Sequence, residues 1–263
     1  MESKNLTEDF IKHIKTYVPG VSLDCVIFGY RNGVLHVLLL KYFDINVWAL
    51  PGGFLPNDME MKEAANDVLF NRTGLQEIFL TQFQTFSSLN RGWDKNIQSR
   101  VAKEKLQLMW PKKHQEEFKS WFNQRFISTA YLALIQVDKA SLTADDLSEC
   151  CEWKPISELP DLVLDHKLII EMALNYLKVQ INYLPIGKSL LPYKFTMLEL
   201  QKLYESILQK RLDRGNFQRK MLKLGIFDKH EKLMTGASNK APFLYSIDEE
   251  SYNNLLLEGI GFR

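Results

Sequence analysis

Three acidic side chains early in the chain have the spacing of a metal site on one face of a helix. Glu60, Glu63 and Asp67 fall at i, i+3 and i+7, so a helix over 60–72 would turn their carboxylates to one side. Carboxylates arranged in this way could hold a divalent cation that polarises a phosphoryl oxygen and activates water. The alternative is the solvent-facing side of an amphipathic helix, which favours acidic residues near its N-terminus in any case.

The segments on either side of this helix resemble the two ends of a Nudix box, the pattern G-x5-E-x7-R-E-U-x-E-E-x-G-U, in which U is a bulky aliphatic residue. A Pro-Gly-Gly turn precedes the helix, and a Thr-Gly-Leu stop follows it. Aligning the first glycine of the pattern with Gly53 places its last glycine on Gly74 without a gap. The four glutamate positions of the pattern then hold Met59, Val68, Asn71 and Arg72. Its arginine position holds Asp67. An apolar side chain cannot bind a cation and an arginine repels one, so we expect a Nudix fold without catalytic residues, metal or cofactor.

A second group of residues has the types and spacing of a DNA-reading helix. Phe217, Met221 and Leu224 repeat at i, i+4 and i+7, which turns the basic and amide side chains around them outward. Arginine suits guanine, asparagine and glutamine suit adenine, and lysine suits phosphate. Residues 194–240 carry 11 basic against 5 acidic side chains, although the net charge of the whole chain is only +1. An exposed cationic helix without a partner is the alternative to a DNA contact. The expected DNA contacts are Gln201, Arg211, Arg214, Asn216, Gln218, Arg219, Lys220 and Lys223.

The elements that must position the first group predict a mixed α+β domain over residues 1–183. Asn32 and Gly33 between two apolar runs, 21–30 and 34–41, predict a hairpin. Further extended segments are expected at 79–88 and 125–135. Helices are expected at 5–17, at 60–72 and at 166–182, where apolar residues have helical spacing.

A second domain is expected over residues 184–263. Thr196 followed by Glu199 is a capping-box signature at the start of one helix, and Gly225 stops the next. An apolar run, a polar loop at 235–240 and another apolar run follow. Two helices with a tight break and then a hairpin predict a winged helix-turn-helix.

Residues 90–124 form a Lys-rich insert with two helical stretches on either side of Trp110-Pro111. A second DNA contact, a dimer arm, a lid over a ligand pocket and a helical pair on the surface are all open interpretations. Trp93, Trp110 and Trp121 are expected to anchor the insert to the body of the protein.

The composition indicates an ordered protein, with 46% apolar and 25% charged residues. Cys25, Cys150 and Cys151 have no metal-type spacing, so we expect reduced thiols. The N-terminus is polar, and no apolar run approaches the ~20 residues that span a bilayer. A soluble, cytoplasmic protein is expected, with no membrane partner.

Two segments of the chain resemble a family of Nudix-related transcriptional regulators, the NrtR type. They are 195–205, Phe-Thr-Met-Leu-Glu-Leu-Gln-Lys-Leu-Tyr-Glu, and 212–221, Leu-Asp-Arg-Gly-Asn-Phe-Gln-Arg-Lys-Met. The tract from Asp165 to Ile170 and the linker 183–185 are also similar to theirs. The resemblance implies an N-terminal Nudix domain, an α/β/α sandwich, that senses a small molecule, and a C-terminal winged helix that binds palindromic operator DNA as a homodimer.

The same resemblance points to an effector site at Trp48, Gly52, Gly53, Arg125, Asp165 and His166. Family members respond to ADP-ribose, and an AraR-like branch in Bacteroidetes responds to sugars such as L-arabinose. The altered box lacks the carboxylates that accompany a diphosphate, which favours a pentose or another small polar metabolite over ADP-ribose. The hypothesis is therefore a ligand-responsive regulator without hydrolase activity. The alternative is a Mg-dependent Nudix hydrolase of nucleoside-diphosphate derivatives with a rebuilt metal site.

Overall fold

Seven strands form a mixed sheet in the N-terminal part of the protein. The computed structural model describes residues 16–42, 44–89, 91–93, 96–109, 112–181, 186–234 and 241–258. The long first strand is antiparallel to the second and fourth strands and parallel to the sixth, which pairs in turn with the fifth. The third and seventh strands pair with the second. The strands are β1 (Tyr17–Arg31), β2 (Val34–Tyr42), β3 (Trp48–Ala49), β4 (Gly52–Pro56), β5 (Leu80–Phe86), β6 (Ile127–Gln136) and β7 (Ser148–Pro155).

The hairpin between β1 and β2 has the predicted two-residue turn. Arg31 pairs with Val34, and the two residues between them adopt positive φ, 53° at Asn32 and 82° at Gly33. Asparagine and glycine tolerate this conformation better than other residues. The prediction at this turn is confirmed, and it fixes the register of the two strands.

Alternation along the strands divides the core into two layers. Leu23, Cys25 and Ile27 of β1 pack with helix α1, whereas Val26 and Phe28 pack with helix α4 on the opposite face. The domain is therefore the expected α/β/α sandwich. The helices in the described part of the chain are α1 (Met61–Thr73), α2 (Ile97–Met109), α3 (Gln115–Asn123), α4 (His166–Val179), α5 (Ile186–Leu190), α6 (Met197–Leu208), α7 (Arg214–Lys223) and α8 (Glu249–Glu258).

Two of the three carboxylates considered for a metal site form the cap of helix α1. Glu60 is the N-cap residue, and its backbone N–H donates to Oε2 of Glu63 at 3.2 Å. The helix ends at Gly74, whose φ is 69° and whose N–H donates to the carbonyl oxygen of Phe70 at 2.7 Å. The glycine stop that the sequence predicted is confirmed.

The insert contains the two predicted helices, α2 and α3, and packs against the body through an aromatic cluster. Trp93 and Trp121 are 9% and 7% exposed, and both belong to a buried cluster with Phe118 and Phe122. The ring of Phe54, on β4, lies edge-on to the ring of Trp121, with 5.1 Å between the ring centres. The anchoring role is confirmed for these two tryptophans, and Trp110 lies outside the described residues.

The C-terminal part has the predicted helices and a small sheet. Thr196 and Glu199 form the capping box at α6, since the Glu199 N–H donates to Thr196 Oγ1 at 3.2 Å and the Thr196 N–H donates to Glu199 Oε2 at 2.6 Å. Strands β8 (Phe195–Thr196), β9 (Phe227–Lys232) and β10 (Phe243–Ile247) form a three-stranded sheet in the order β8-β10-β9. The loop at 235–240 lies outside the described residues. Helix α8 was not predicted.

The small C-terminal unit is joined to the large sheet by a shared apolar core. One buried cluster runs from Phe28 and Leu132 of the sheet to Leu200, Phe217 and Tyr245 of the winged helix. The backbone N–H of Leu35, on β2, donates to Ser206 Oγ on α6 at 2.9 Å. The predicted boundary at 183/184 falls among residues that are not described, so its position stays a prediction.

Two other expectations concern a helix at the start of the first domain and the absence of membrane-spanning segments. The predicted helix 5–17 falls largely on residues 1–15, which are not described, but it is wrong at Tyr17, which belongs to β1. Among the described residues, no helix is long and apolar enough to cross a membrane.

The turn between β3 and β4 offers a test of this packing. A Cβ on Gly52 would lie 2.5 Å from the backbone oxygen of Leu23, whereas a Cβ on Gly53 would meet only a side-chain carbon of Val68 at 4.0 Å. Gly52→Ala should therefore lower the free energy of unfolding by about 1–3 kcal/mol, because the backbone of β1 must shift. Gly53→Ala should change it by less than about 0.5 kcal/mol. Urea unfolding of both variants measures the difference, and equal stabilities would contradict the close approach at Gly52.

Candidate effector cavity and DNA-binding surface

A cavity of 560 Å³ opens between the sheet, the C-terminal end of α1 and the insert. Its polar lining comes from β1, from the end of α1, from the loop before β7 and from the start of α4. Its apolar lining is aromatic and includes Tyr17, Phe54, Trp93, Phe122 and Phe126. Clefts of about 300–1,000 Å³ with an apolar lining and a few polar groups are typical of small-molecule sites.

A buried charge network forms one wall of this cavity. Arg91, which is 7% exposed, donates from Nη2 to Asp24 Oδ2 and from Nε to Asp165 Oδ1, each at 2.7 Å. Ser128 Oγ donates to the same oxygen of Asp24 at 2.6 Å. The network joins the insert to β1, β6 and the N-terminal end of α4, so four separate segments meet at one carboxylate.

His166, the first residue of α4, completes the network. The Leu50 backbone N–H donates to Nδ1 of its ring at 2.9 Å, which requires an unprotonated Nδ1. The other ring nitrogen, Nε2, faces Asp24 Oδ1 at 3.4 Å and therefore carries the hydrogen. Burial lowers the pKa of His166, and its ring is held neutral at physiological pH in spite of the nearby Asp24 carboxylate.

Asp24 stays ionised inside this network. Burial alone would raise its pKa, but the Arg91 guanidinium and the hydrogen bonds from Ser128 and Arg91 outweigh burial and lower it. A buried carboxylate with two hydrogen-bond donors and a paired cation is a fixed negative point on the cavity wall. It is suited to orienting a polar ligand or the residues around one.

The six residues expected at the effector site fall into three groups. Gly52, Gly53 and His166 line the cavity, and Asp165 supports it by holding Arg91. Trp48 is instead 4% exposed in the core on the α4 side of the sheet, with Lys154 Nζ 4.2 Å from its ring centre. Arg125 is exposed and donates to the Ser87 backbone oxygen, and it is not one of the residues that line the cavity.

The sequence reasoning missed Asp24, Ser128 and Arg91. A signal existed for Asp24, since it is the one charged residue in the apolar run 21–30, and a buried charge in a strand requires a partner. No comparable signal existed for Arg91, because the insert reads as a basic surface. Its partners lie 67 and 74 residues away in the sequence.

The carboxylates considered for a rebuilt metal site do not reach the cavity. Glu60 and Glu63 form the helix cap, Glu63 and Asp67 are exposed, and none of the three is part of the cavity lining. Two residues at glutamate positions of the box, Asn71 and Arg72, do line it. Among the described residues, no group of three or more His, Cys, Asp or Glu side chains could hold a metal ion.

The expected DNA-binding residues lie mainly on the exposed side of α7. Phe217 and Met221 are buried against α6, and the helix begins at Asp213, whose Oδ1 accepts from the Asn216 N–H at 2.8 Å. Gln218 is half-buried beside a groove toward β10. The residues with exposed side chains are Arg211, Arg214, Asn216, Arg219, Lys220 and Lys223. This face is cationic and rich in hydrogen-bond donors.

Gln201 has a different position from the other seven. It is 7% exposed, and its Nε2 donates to Glu205 Oε1 at 3.0 Å and to the Leu212 backbone oxygen at 2.9 Å. The same Glu205 oxygen accepts from the Leu212 N–H at 2.7 Å. The structure thus gives Gln201 a role in holding the turn between α6 and α7 rather than one at the surface.

Comparisons with known proteins agree with this architecture. Residues 187–247 match the family described as the NrtR DNA-binding winged helix domain. The chain is 26% identical over 246 residues to the ADPR responsive transcriptional repressor NtrR of Acinetobacter baylyi, covering 89% of this chain and 85% of that protein. These similarities support the resemblance to NrtR-type regulators.

Solved structures establish the fold. The chain is similar to Shewanella oneidensis NrtR complexed with a 27mer DNA, with a TM-score of 0.64, 21% identity and coverage of 89% of this chain and 95% of that one. It is also similar to a MutT/nudix family protein from Enterococcus faecalis, with a TM-score of 0.58, 20% identity and coverage of 92% and 93%. The chain consists of an N-terminal Nudix-fold domain and a C-terminal winged helix domain.

The buried network predicts a large effect of Arg91 on stability. Arg91→Ala leaves Asp24 and Asp165 without their cation, and breaking a buried pair in this way costs about 3–5 kcal/mol. Arg100→Ala, which removes an exposed arginine from the same insert, should cost less than about 0.5 kcal/mol. Urea unfolding at pH 7.5 compares them, and a small loss for Arg91→Ala would show that the network does not hold the insert.

His166 predicts an acid-dependent loss of stability. Because its pKa is lowered in the folded state, the unfolded chain binds a proton more readily once the pH falls below about 6.5. The free energy of unfolding should therefore decrease between pH 7.5 and 5.5. Asp24, whose pKa is also lowered, adds to this loss of stability only when the pH falls to the ordinary carboxyl pKa of about 3.9 or below. Unfolding curves of the protein and of His166→Gln test this, and an unchanged pH dependence in the variant would contradict it.

Proposed function

We propose that this protein is a DNA-binding transcriptional regulator whose Nudix domain binds a small metabolite and does not hydrolyse it. The observation that carries the proposal is the exposed face of α7, where five basic or amide side chains project from a helix that a capped helix and a hairpin hold in place. Arginine and asparagine side chains on such a helix can read base edges in the major groove, and lysines can bind phosphates. The match of residues 187–247 to a DNA-binding winged helix domain supports the same function.

The cavity supports the sensing part of the proposal. Its 560 Å³ suits a metabolite, and its aromatic and polar lining offers both stacking and hydrogen bonds. The effector candidates are ADP-ribose, the ligand in the name of the Acinetobacter baylyi relative, and a pentose such as L-arabinose. A hydrolase would need carboxylates at the cavity to hold a cation, and Glu60, Glu63 and Asp67 are directed elsewhere.

Helix α4 provides a physical connection between the cavity and the DNA-binding unit. Its first residue, His166, lines the cavity. Near its other end, Lys178 Nζ donates to Gln209 Oε1 at 2.7 Å, and the Tyr204 hydroxyl lies 3.5 Å from the Ile181 carbonyl oxygen. A ligand that moves the start of α4 would therefore act on α6, the helix against which α7 packs. In a homodimer on a palindromic operator, such a shift changes the spacing of the two reading helices and the affinity for DNA.

The function is tested by titrating duplex DNA from beside the gene at fixed salt, alone and with ADP-ribose, L-arabinose or other pentoses. Saturable binding that exceeds binding to random DNA, and that one ligand shifts, is the expected result. Equal binding to both duplexes that disappears with modest salt would show that α7 is only a charged face. Turnover of ADP-ribose with magnesium would favour the hydrolase.

Replacing Arg219 should reduce specific DNA binding in the same titration. Arg219→Ala should weaken specific binding by about 1–3 kcal/mol if the guanidinium reads a base, and it should weaken binding to random DNA less. Lys62→Ala removes an exposed positive charge from α1 and serves as the matched control, with no expected change. Unchanged operator affinity in Arg219→Ala would remove Arg219 from the reading face.

A further inference from the structure

Arg72 occupies the position at which a Nudix box has its last glutamate, and it lines the cavity. The residue lies in the last turn of α1 beside Asn71, and both line the cavity. Nη1 donates to the Thr143 backbone oxygen at 3.3 Å. The Nε of Arg72 is buried, and no hydrogen-bond acceptor lies near it in the part of the chain that the structure describes.

Arg72 places a partly buried cation in the lining of the cavity. Such a cation is stabilised when an anion pairs with it. The other arginine at the cavity, Arg91, is already neutralised by Asp24 and Asp165. Among the described residues, Arg72 is therefore the cavity-lining arginine that has no carboxylate partner.

The fold family implies a divalent cation at this place, and the residues present do not fit one. The four glutamate positions hold Met59, Val68, Asn71 and Arg72, which offer a single amide oxygen and a positive charge. A guanidinium a few Ångström from a divalent cation would repel it, and no carboxylate cluster compensates within the described residues. Instead, a planar guanidinium offers two parallel N–H groups to a phosphate or carboxylate.

Two carboxylates of the cavity lining suit hydroxyl groups. Asp145 and Asp146, on the loop before β7, also line the cavity, and Oδ1 of Asp145 accepts from the Leu147 N–H at 3.1 Å. Carboxylates repel an anion but accept hydrogen bonds from sugar hydroxyls. A ligand that has an anionic group to pair with Arg72 and hydroxyl groups to donate to these carboxylates therefore matches the charges of the lining.

We propose that Arg72 binds the anionic group of a polyhydroxylated metabolite, a sugar phosphate or a sugar diphosphate, directly and without a divalent cation. The proposal rests on the proposed function, in which this cavity is the effector site. Arg72 then replaces the metal of a Nudix enzyme as the positive charge that holds the phosphate. A neutral pentose has no charge to pair with the Arg72 guanidinium, so the phosphorylated ligands bind more tightly.

Calorimetric titration of the full-length protein tests this inference, with ADP-ribose, ribose 5-phosphate and ribose as probes. Each titration is made in EDTA and again in magnesium. We expect at least one phosphorylated probe to bind equally well in both buffers and at least about tenfold more tightly than ribose. Binding that requires magnesium, or ribose binding as tightly as the phosphorylated probes, would overturn the proposal.

Variants at Arg72 distinguish the contribution of the guanidinium hydrogen bonds from the contribution of its positive charge. Arg72→Gln should weaken binding of the phosphorylated probe by about 10–100-fold. Arg72→Lys should weaken it less, because lysine keeps the positive charge but loses the two parallel N–H groups of the guanidinium. Arg31→Gln removes an exposed arginine from the β1–β2 hairpin and should leave the affinity unchanged. Thermal unfolding of each variant checks that it is folded, and equal affinity in folded Arg72→Gln would overturn the role of Arg72.

DNA binding by the same preparations distinguishes this proposal from the proposed function. If no phosphorylated probe binds but operator DNA does, Arg72 has no anionic ligand of this class, and the DNA-binding function stands. If a probe binds through Arg72 but no DNA is preferred, the anion site stands and the regulator does not.

Discussion

The buried carboxylate of Asp24 is the interaction on which the rest of the N-terminal domain depends. A charge at this depth is tolerated only when it is paired and hydrogen-bonded, and Arg91, Ser128 and His166 supply those partners. Each partner comes from a different segment of the chain. The cost of leaving Asp24 unpaired therefore fixes the insert, β6 and the start of α4 in one arrangement, and that arrangement forms a wall of the cavity.

The second constraint is the two-sided sheet. Because its strands are buried on both faces, one face can be covered by α1 beside the cavity while the other carries α4 and the winged helix. The DNA-binding unit packs against the sheet in this arrangement. It shares an apolar core with the sheet, and the contact of Ser206 with Leu35 ties it to β2.

Local signals made much of the fold predictable. The Asn32-Gly33 turn, the Gly74 stop and the capping box at Thr196 depend on backbone conformations that a few neighbouring residues determine, and all three are confirmed. The site was predicted less well. Trp48 is expected at the site but lies in the core, and Arg91, which belongs to the insert whose role the sequence leaves open, is buried. Side-chain direction at these positions depends on packing between distant segments.

The sequence by itself determined most of the elements, the apolar faces of the helices and the absence of glutamates from the box positions, because these follow from residue type and short spacing. The tertiary structure alone decided that Arg91 turns inward to Asp24, that Gln201 holds a turn, and that Arg72 lines the cavity. Those outcomes depend on which partner lies within about 3 Å of a side chain. Segments 67 or more residues apart supply the partners of Arg91, and no local pattern encodes them.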